Sequence, residues 1–170
     1  VNGGSLVYIT PLIFIVAVVP YMAFNLGLLG KRNKIFLGDA GSMLLGLTVV
    51  WLLINCTQGE SACFSPVTAL WITAVPLMDM LAIVTRRAAN GRAPYEPDRN
   101  HLHHLFMDHG MNDRKALVII GIISVIFACI GIASERFGVS QTYMLAAFLL
   151  IFFAYYVLMA HFEEQAKGTS

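Results

Sequence analysis

Asp39 lies between two glycines in Phe36-Leu37-Gly38-Asp39-Ala40-Gly41-Ser42, just after the basic cluster Lys31-Arg32-Asn33-Lys34 and at the head of an apolar run over residues 43–56. A carboxylate there sits where membrane meets water. Gly38 and Gly41 leave the backbone open on both sides of it, so a metal or a phosphate can approach closely, and the N–H groups opening the following helix favour an anion. One reading is a site for a metal-phosphate complex with Asp39 as the metal ligand. The other is that Asp39 caps its own helix.

A second concentration of chemistry follows in Pro97-Asp98-Arg99-Asn100-His101-Leu102-His103-His104-Leu105-Phe106-Met107. As a helix, this stretch sets Leu102, Leu105 and Phe106 towards the bilayer surface or the bundle, and His101, His104 and Asp108 along another face. Three histidines invite zinc. A structural zinc site takes four ligands, though, and a catalytic one three with their own orienting partners, and no H-x-x-x-H spacing occurs here. Imidazoles beside Arg99 can instead hold a diphosphate by hydrogen bonds and charge. A helix lying in the headgroup zone, with no ligand, is the plain alternative.

Asp79, in Pro76-Leu77-Met78-Asp79-Met80, falls about two turns inside an apolar segment, where an ionised side chain is costly unless paired or facing a cavity. Arg86 is seven residues on, on roughly the same helix face, so an internal ion pair stands equal with a role supporting the site. Arg86 and Arg87 read as a membrane-end anchor, with a phosphate contact as the sharper option. His161, the methionines and the Phe-rich last segment read as interface and lipid contact.

The elements that must position these groups follow from composition. Of 170 residues 58% are hydrophobic and 12% charged, with mean hydropathy +0.72, which excludes an ordinary soluble domain and predicts an all-α polytopic transmembrane helix bundle over residues 1–170. A net charge of +1 gives no support for a nucleic-acid partner. A window of about 20 residues, the length that crosses the hydrocarbon core, gives about five spans: 5–29, 39–56, 66–85, 116–133 and 142–161. Pro20 and Pro76 lie inside spans and should kink them.

Basic residues alternate sharply between the connections. The loops at 31–42 and 86–115 hold nine of the eleven Lys and Arg residues, whereas 57–65 has none and 134–141 only Arg136. The positive-inside rule then puts the N-terminus outside and both basic loops, with the C-terminus, in the cytosol. Asp39 would open on the cytosol of a plasma membrane. The 86–115 loop is too long for a passive turn and is expected to be functional. Cys56, Cys63 and Cys129 form no metal spacing; Cys56 and Cys63 flank a short loop and can pair if it faces an oxidising compartment, but unpaired small residues are the plainer expectation. The chain begins at Val1 with no Lys or Arg ahead of its first apolar run, so it reads as a piece of something longer and not as a signal peptide.

Taken in order and topology, Phe36-Leu37-Gly38-Asp39-Ala40-Gly41-Ser42, Pro76-Leu77-Met78-Asp79 and Pro97-Asp98-Arg99-Asn100-His101-Leu102-His103-His104 resemble the polyprenyl-phosphate N-acetylhexosamine-1-phosphate transferases. The H-x-H-H loop is closer to the WecA-like branch than to the peptidoglycan translocases. The resemblance implies transfer of GlcNAc-1-phosphate from UDP-GlcNAc to undecaprenyl phosphate at the cytosolic face of the bacterial inner membrane, with Mg2+ or Mn2+ and release of UMP, as the first step towards O-antigen or enterobacterial common antigen. By matching motif it makes Asp39 the metal ligand, with Gly38 near the nucleotide or metal, Phe36 under the uracil ring and Asn25 near the nucleotide. His101, His103 and His104 would hold the diphosphate, assisted by Asp98 and Arg99. It leaves a homodimer open.

The resemblance also implies an aspartate pair in an earlier cytosolic loop, which this sequence does not hold. The chain therefore resembles the C-terminal part of such an enzyme and is expected to be inactive alone. Phosphoryl transfer needs positioning and charge neutralisation more than covalent help, which a cation with basic side chains supplies. Two rivals remain: a transporter fragment, which should show paired acids or an inverted repeat, and a structural membrane subunit, which needs no long His-bearing loop.

Overall fold

The computed structural model describes residues 3–27, 30, 32, 34–59, 62–89, 91, 106 and 111–168. Every regular element among them is a helix: α1 (Gly3–Asn25), α2 (Gly38–Thr57), α3 (Pro66–Ile72), α4 (Ala74–Ala89), α5 (Asp113–Arg136) and α6 (Gln141–Gly168). They fall into two compact units, residues 1–66 and 67–170.

The first unit holds α1 and α2. Helix α2 has 20 residues, which at about 1.5 Å each spans the roughly 30 Å hydrocarbon core. None of its residues is buried, and Met43, Leu44, Leu47 and Val50 are all exposed, so its apolar side chains face lipid or further protein rather than a core of their own. Its polar side chains turn back on the helix: the Thr48 hydroxyl donates to the Leu44 carbonyl at 2.8 Å and the Asn55 amide to the Trp51 carbonyl at 2.8 Å. Internal satisfaction of this kind is what a bilayer demands of polar groups. Helix α1 stays a single helix through Pro11 and Pro20.

The second unit is built around a bend. Helices α3 and α4 meet at Thr73 at 84°. The sequence places a kink at Pro76, and the break one turn earlier has the same cause. Proline at 76 has no N–H for the carbonyl of Ile72, and its ring crowds that carbonyl, so the helix fails at the preceding turn. Trp71 and Thr68 of α3 are buried there. The Trp71 ring packs on Phe127 and Phe148, with centroids 5.9 and 6.0 Å away, and its indole N–H donates to the Met144 carbonyl at 3.2 Å. Close packing in this unit also uses small residues, Ala74, Ala82, Ala116 and Gly131, which let helix backbones approach as they do within membranes.

Helix α5 is capped at both ends. The Asn112 side chain accepts from the Arg114 N–H at 3.3 Å, and the chain leaves through Gly138 at φ +72° with its N–H on the Glu135 carbonyl.

Of the five expected spans, three helices are long and apolar enough to cross a membrane, α2, α5 and the Gln141–Phe162 part of α6, and a fourth if the bent α3–α4 pair is one span. Helix α1 occupies the first expected span, with Ile9–Asn25 as its apolar part. The protein is an all-α, multi-pass membrane protein.

Candidate functional site

The acid-bearing stretch is held by the end of α1. After Asn25 the chain turns, with the Leu26 N–H on the Met22 carbonyl and the Gly27 N–H on the Phe24 carbonyl. Asn25 then reaches across ten positions and donates its side-chain N–H to the Ile35 carbonyl at 3.0 Å. That bond fixes the segment immediately before the glycine-flanked acid. Asn25 thus positions Phe36 through the backbone, a contribution that a motif match to a nucleotide-contacting asparagine does not reveal.

Phe36 is 86% exposed, an aromatic ring left largely uncovered by the described residues. Gly38 follows in the left-handed region at φ +69°, where a side chain would be strained although nothing blocks the space. A side chain at Gly41, by contrast, would run into that of Leu37. Ser42 donates its hydroxyl to the Asp39 carbonyl at 2.8 Å, tightening the first turn of α2.

Asp39 itself is exposed in that first turn, and its carboxylate has no hydrogen-bond or ion-pair partner among the described residues. The capping reading does not hold: Leu37 occupies the cap position, and no side chain caps the helix. A free carboxylate at a helix N-terminus is locally favoured, by about 0.3–1 kcal/mol, and is open to a ligand.

His101, His103, His104, Asp98 and Arg99 lie outside the described residues. Of their loop, Phe106 is half-buried and lines an apolar cavity of about 400 Å³ with Val75, Met78, Phe127, Tyr155 and Met159. Phe106 therefore faces the bundle, one of the two placements, bilayer surface or bundle, that the sequence left open for it.

Asp79 has a partner that the sequence did not disclose. The Tyr155 hydroxyl of α6 donates to its carboxylate at 2.8 Å, across 76 positions. The adjacent phenols Tyr155 and Tyr156 in an otherwise apolar stretch were the available signal. Arg86 is not a surface anchor: it is 7% exposed, with its Nε on the Ala82 carbonyl at 3.2 Å and an Nη on the Met159 carbonyl at 3.5 Å. Asp79 and Arg86 thus tie α4 to α6 beside the cavity, whose lining includes Tyr155 and Met159. Tyr155→Phe is expected to destabilise the protein by about 1–3 kcal/mol, because the half-buried carboxylate loses a hydrogen-bond donor. Thermal unfolding in detergent measures it, and in an Asp79→Asn background the added cost of Tyr155→Phe should shrink.

Among the described residues no three His, Cys, Asp or Glu side chains gather to cage a metal. One exposed, unpartnered carboxylate instead matches the way Mg2+ is held, by one or two carboxylates with water and substrate phosphates completing the shell.

No family model and no solved structure matches the chain. Its sequence is 51% identical over 142 residues, 83% of its length, to proteins named undecaprenyl-phosphate alpha-N-acetylglucosaminyl 1-phosphate transferase in Salmonella typhi and Escherichia coli strain K12. The protein of that name in Pasteurella multocida is 47% identical over the same length. The chain spans 39% of the length of the first two relatives and 40% of the third. A run of 142 in a chain of 170 includes residues 29–142 wherever it starts, and so all three motifs around Asp39, Asp79 and the histidines.

Proposed function

We infer that this chain is part of a polyprenyl-phosphate N-acetylhexosamine-1-phosphate transferase of the WecA-like kind, and that the whole protein moves GlcNAc-1-phosphate from UDP-GlcNAc to undecaprenyl phosphate. The observation that carries this reading is the half-identical run of 142 residues shared with transferases of that name. The exposed Asp39 and Phe36 agree with it.

In the reaction, an oxygen of the acceptor phosphate attacks the sugar-bearing phosphorus of UDP-GlcNAc. A new P–O–P link forms, the bond to the uridine-bearing phosphate breaks, and UMP leaves with that bond's electron pair. The acceptor phosphate is largely ionised near neutral pH, so positioning matters more than a strong base. Asp39 would hold Mg2+ or Mn2+, which supplies charge neutralisation on the diphosphate when bound. Phe36 offers its face to the uracil, while Asn25 keeps the backbone at Ile35 in place beneath it. His101, His103, His104 and Arg99 are assigned to the diphosphate, with Asp98 orienting them. The apolar cavity beside Met78 and Phe127 gives an isoprenoid tail a surface of matching chemistry.

The basic loops at 31–42 and 86–115 orient the protein with this site on the cytosolic side of a bacterial inner membrane, where nucleotide sugars are found. The test is UMP release from UDP-GlcNAc in membranes containing the complete protein. Release that requires undecaprenyl phosphate supports the assignment, and its absence with an inserted, folded protein overturns it. Within that assay, Phe36→Ala should raise KM for UDP-GlcNAc about 5- to 100-fold, the equivalent of one stacked base, while Phe36→Tyr stays near wild type. Equal effects of the two changes would remove Phe36 from the uracil site.

A further inference from the structure

Two side chains that the transfer reaction does not use stand together at the other end of α2. Cys56 is its penultimate residue and Cys63 follows seven positions later. The Cys63 N–H donates to the Cys56 carbonyl at 2.7 Å, and the Phe64 N–H reaches the same oxygen at 3.3 Å. The connection doubles back through Gly59, at φ +76°, whose carbonyl accepts from the Ala62 N–H at 3.3 Å. The two thiols are close enough to interact. Cys63 is exposed and Cys56 half-buried. A direct N–H to C=O bond between two residues holds their Cα atoms within the roughly 4.4–6.8 Å that a disulfide spans.

We propose that Cys56 and Cys63 are a disulfide-forming pair, oxidised by thiol-disulfide exchange with a disulfide-bearing donor outside the cytosol. The exposed Cys63 thiolate attacks one donor sulfur, forming a mixed disulfide and displacing the donor's second sulfur as a thiolate. The Cys56 thiolate then attacks the Cys63 sulfur, closing the Cys56–Cys63 bond and releasing the first donor sulfur. The chain loses two thiol protons and two electrons, and the donor leaves as the dithiol. The compartment rests on the orientation proposed above, in which the 57–65 loop, free of Lys and Arg, faces away from the cytosol. The bond would close the loop onto the last turn of α2 in the arrangement its backbone already adopts.

The test counts thiols on the complete protein in acid-quenched cells, with a mass-shifting maleimide applied before and after reduction. Wild type should gain two more tags on reduction than a Cys56→Ser, Cys63→Ser variant does. Orientation is read separately by introducing Gln58→Cys into that variant and adding a membrane-impermeant maleimide from outside. If Gln58→Cys labels from outside and wild type gains no extra tags, the disulfide proposal fails with the orientation intact. If Gln58→Cys labels only after the cytosolic side is opened, the orientation fails and takes the disulfide with it.

Discussion

Asp39→Asn in the complete protein is expected to lower the rate of UMP release by roughly 10²–10³-fold, the usual loss when one preorganised charge-handling group is removed from a transfer site. The fold should not suffer. The carboxylate is exposed and unpartnered among the described residues, so an isosteric amide removes at most the small helix-terminus contribution of about 0.3–1 kcal/mol. Initial rates and thermal unfolding on the same preparation separate the two effects. The apparent affinity for Mg2+ should weaken with the rate. Full activity in Asp39→Asn would remove Asp39 from the metal and the site from this end of α2.

Gly131→Ala is expected to be the most damaging single methyl in the second unit. A Cβ at this position would overlap the Cβ of Trp71 and lie 3.0 Å from its Cγ, and neither atom is the free end of a flexible chain. Relief requires α5 to move away from α3, which also disturbs the indole bond to Met144 and the ring contacts to Phe127 and Phe148. Overpacking of this kind costs about 1–3 kcal/mol. Gly121→Ala on the same helix is the control, since its Cβ meets nothing within 4 Å and alanine favours the helix. A shared melting temperature for the two variants would mean that α3 and α5 are not in close contact at Trp71.

The parts of this architecture legible in the sequence are those set by local physics. Long apolar runs bounded by charge located α2, α5 and α6 to within a few residues, because lipid imposes one length and one polarity on any helix that crosses it. The glycines around Asp39 marked an acid with open backbone on both sides, and its carboxylate is exposed with no partner among the described residues. The motif order pointed to a transferase family, and the 51% identity over 142 residues to proteins of that name agrees. What escaped was either displaced or distant. The break expected at Pro76 fell at Thr73, since a missing N–H is felt by the carbonyl one turn earlier. Tyr155 as the partner of Asp79, and Met159 as an acceptor for Arg86, depend on how α4 meets α6 across more than 70 positions, and no periodicity encodes that. Asn25 was visible as a residue of interest, while its grip on the Ile35 carbonyl was not.

The 84° turn at Thr73 also bears on how the protein is made. A helix interrupted at membrane depth exposes carbonyls that lipid cannot solvate, so it is tolerated only where other protein covers it. Here the cover comes from later in the chain: Phe127 and Gly131 on one side, Met144 and Phe148 on the other. Residues 66–89 are therefore expected not to settle in the bilayer as a finished bent pair on their own. Their stable packing is expected only once the two segments after them have arrived, which would make the order of synthesis a condition of correct assembly.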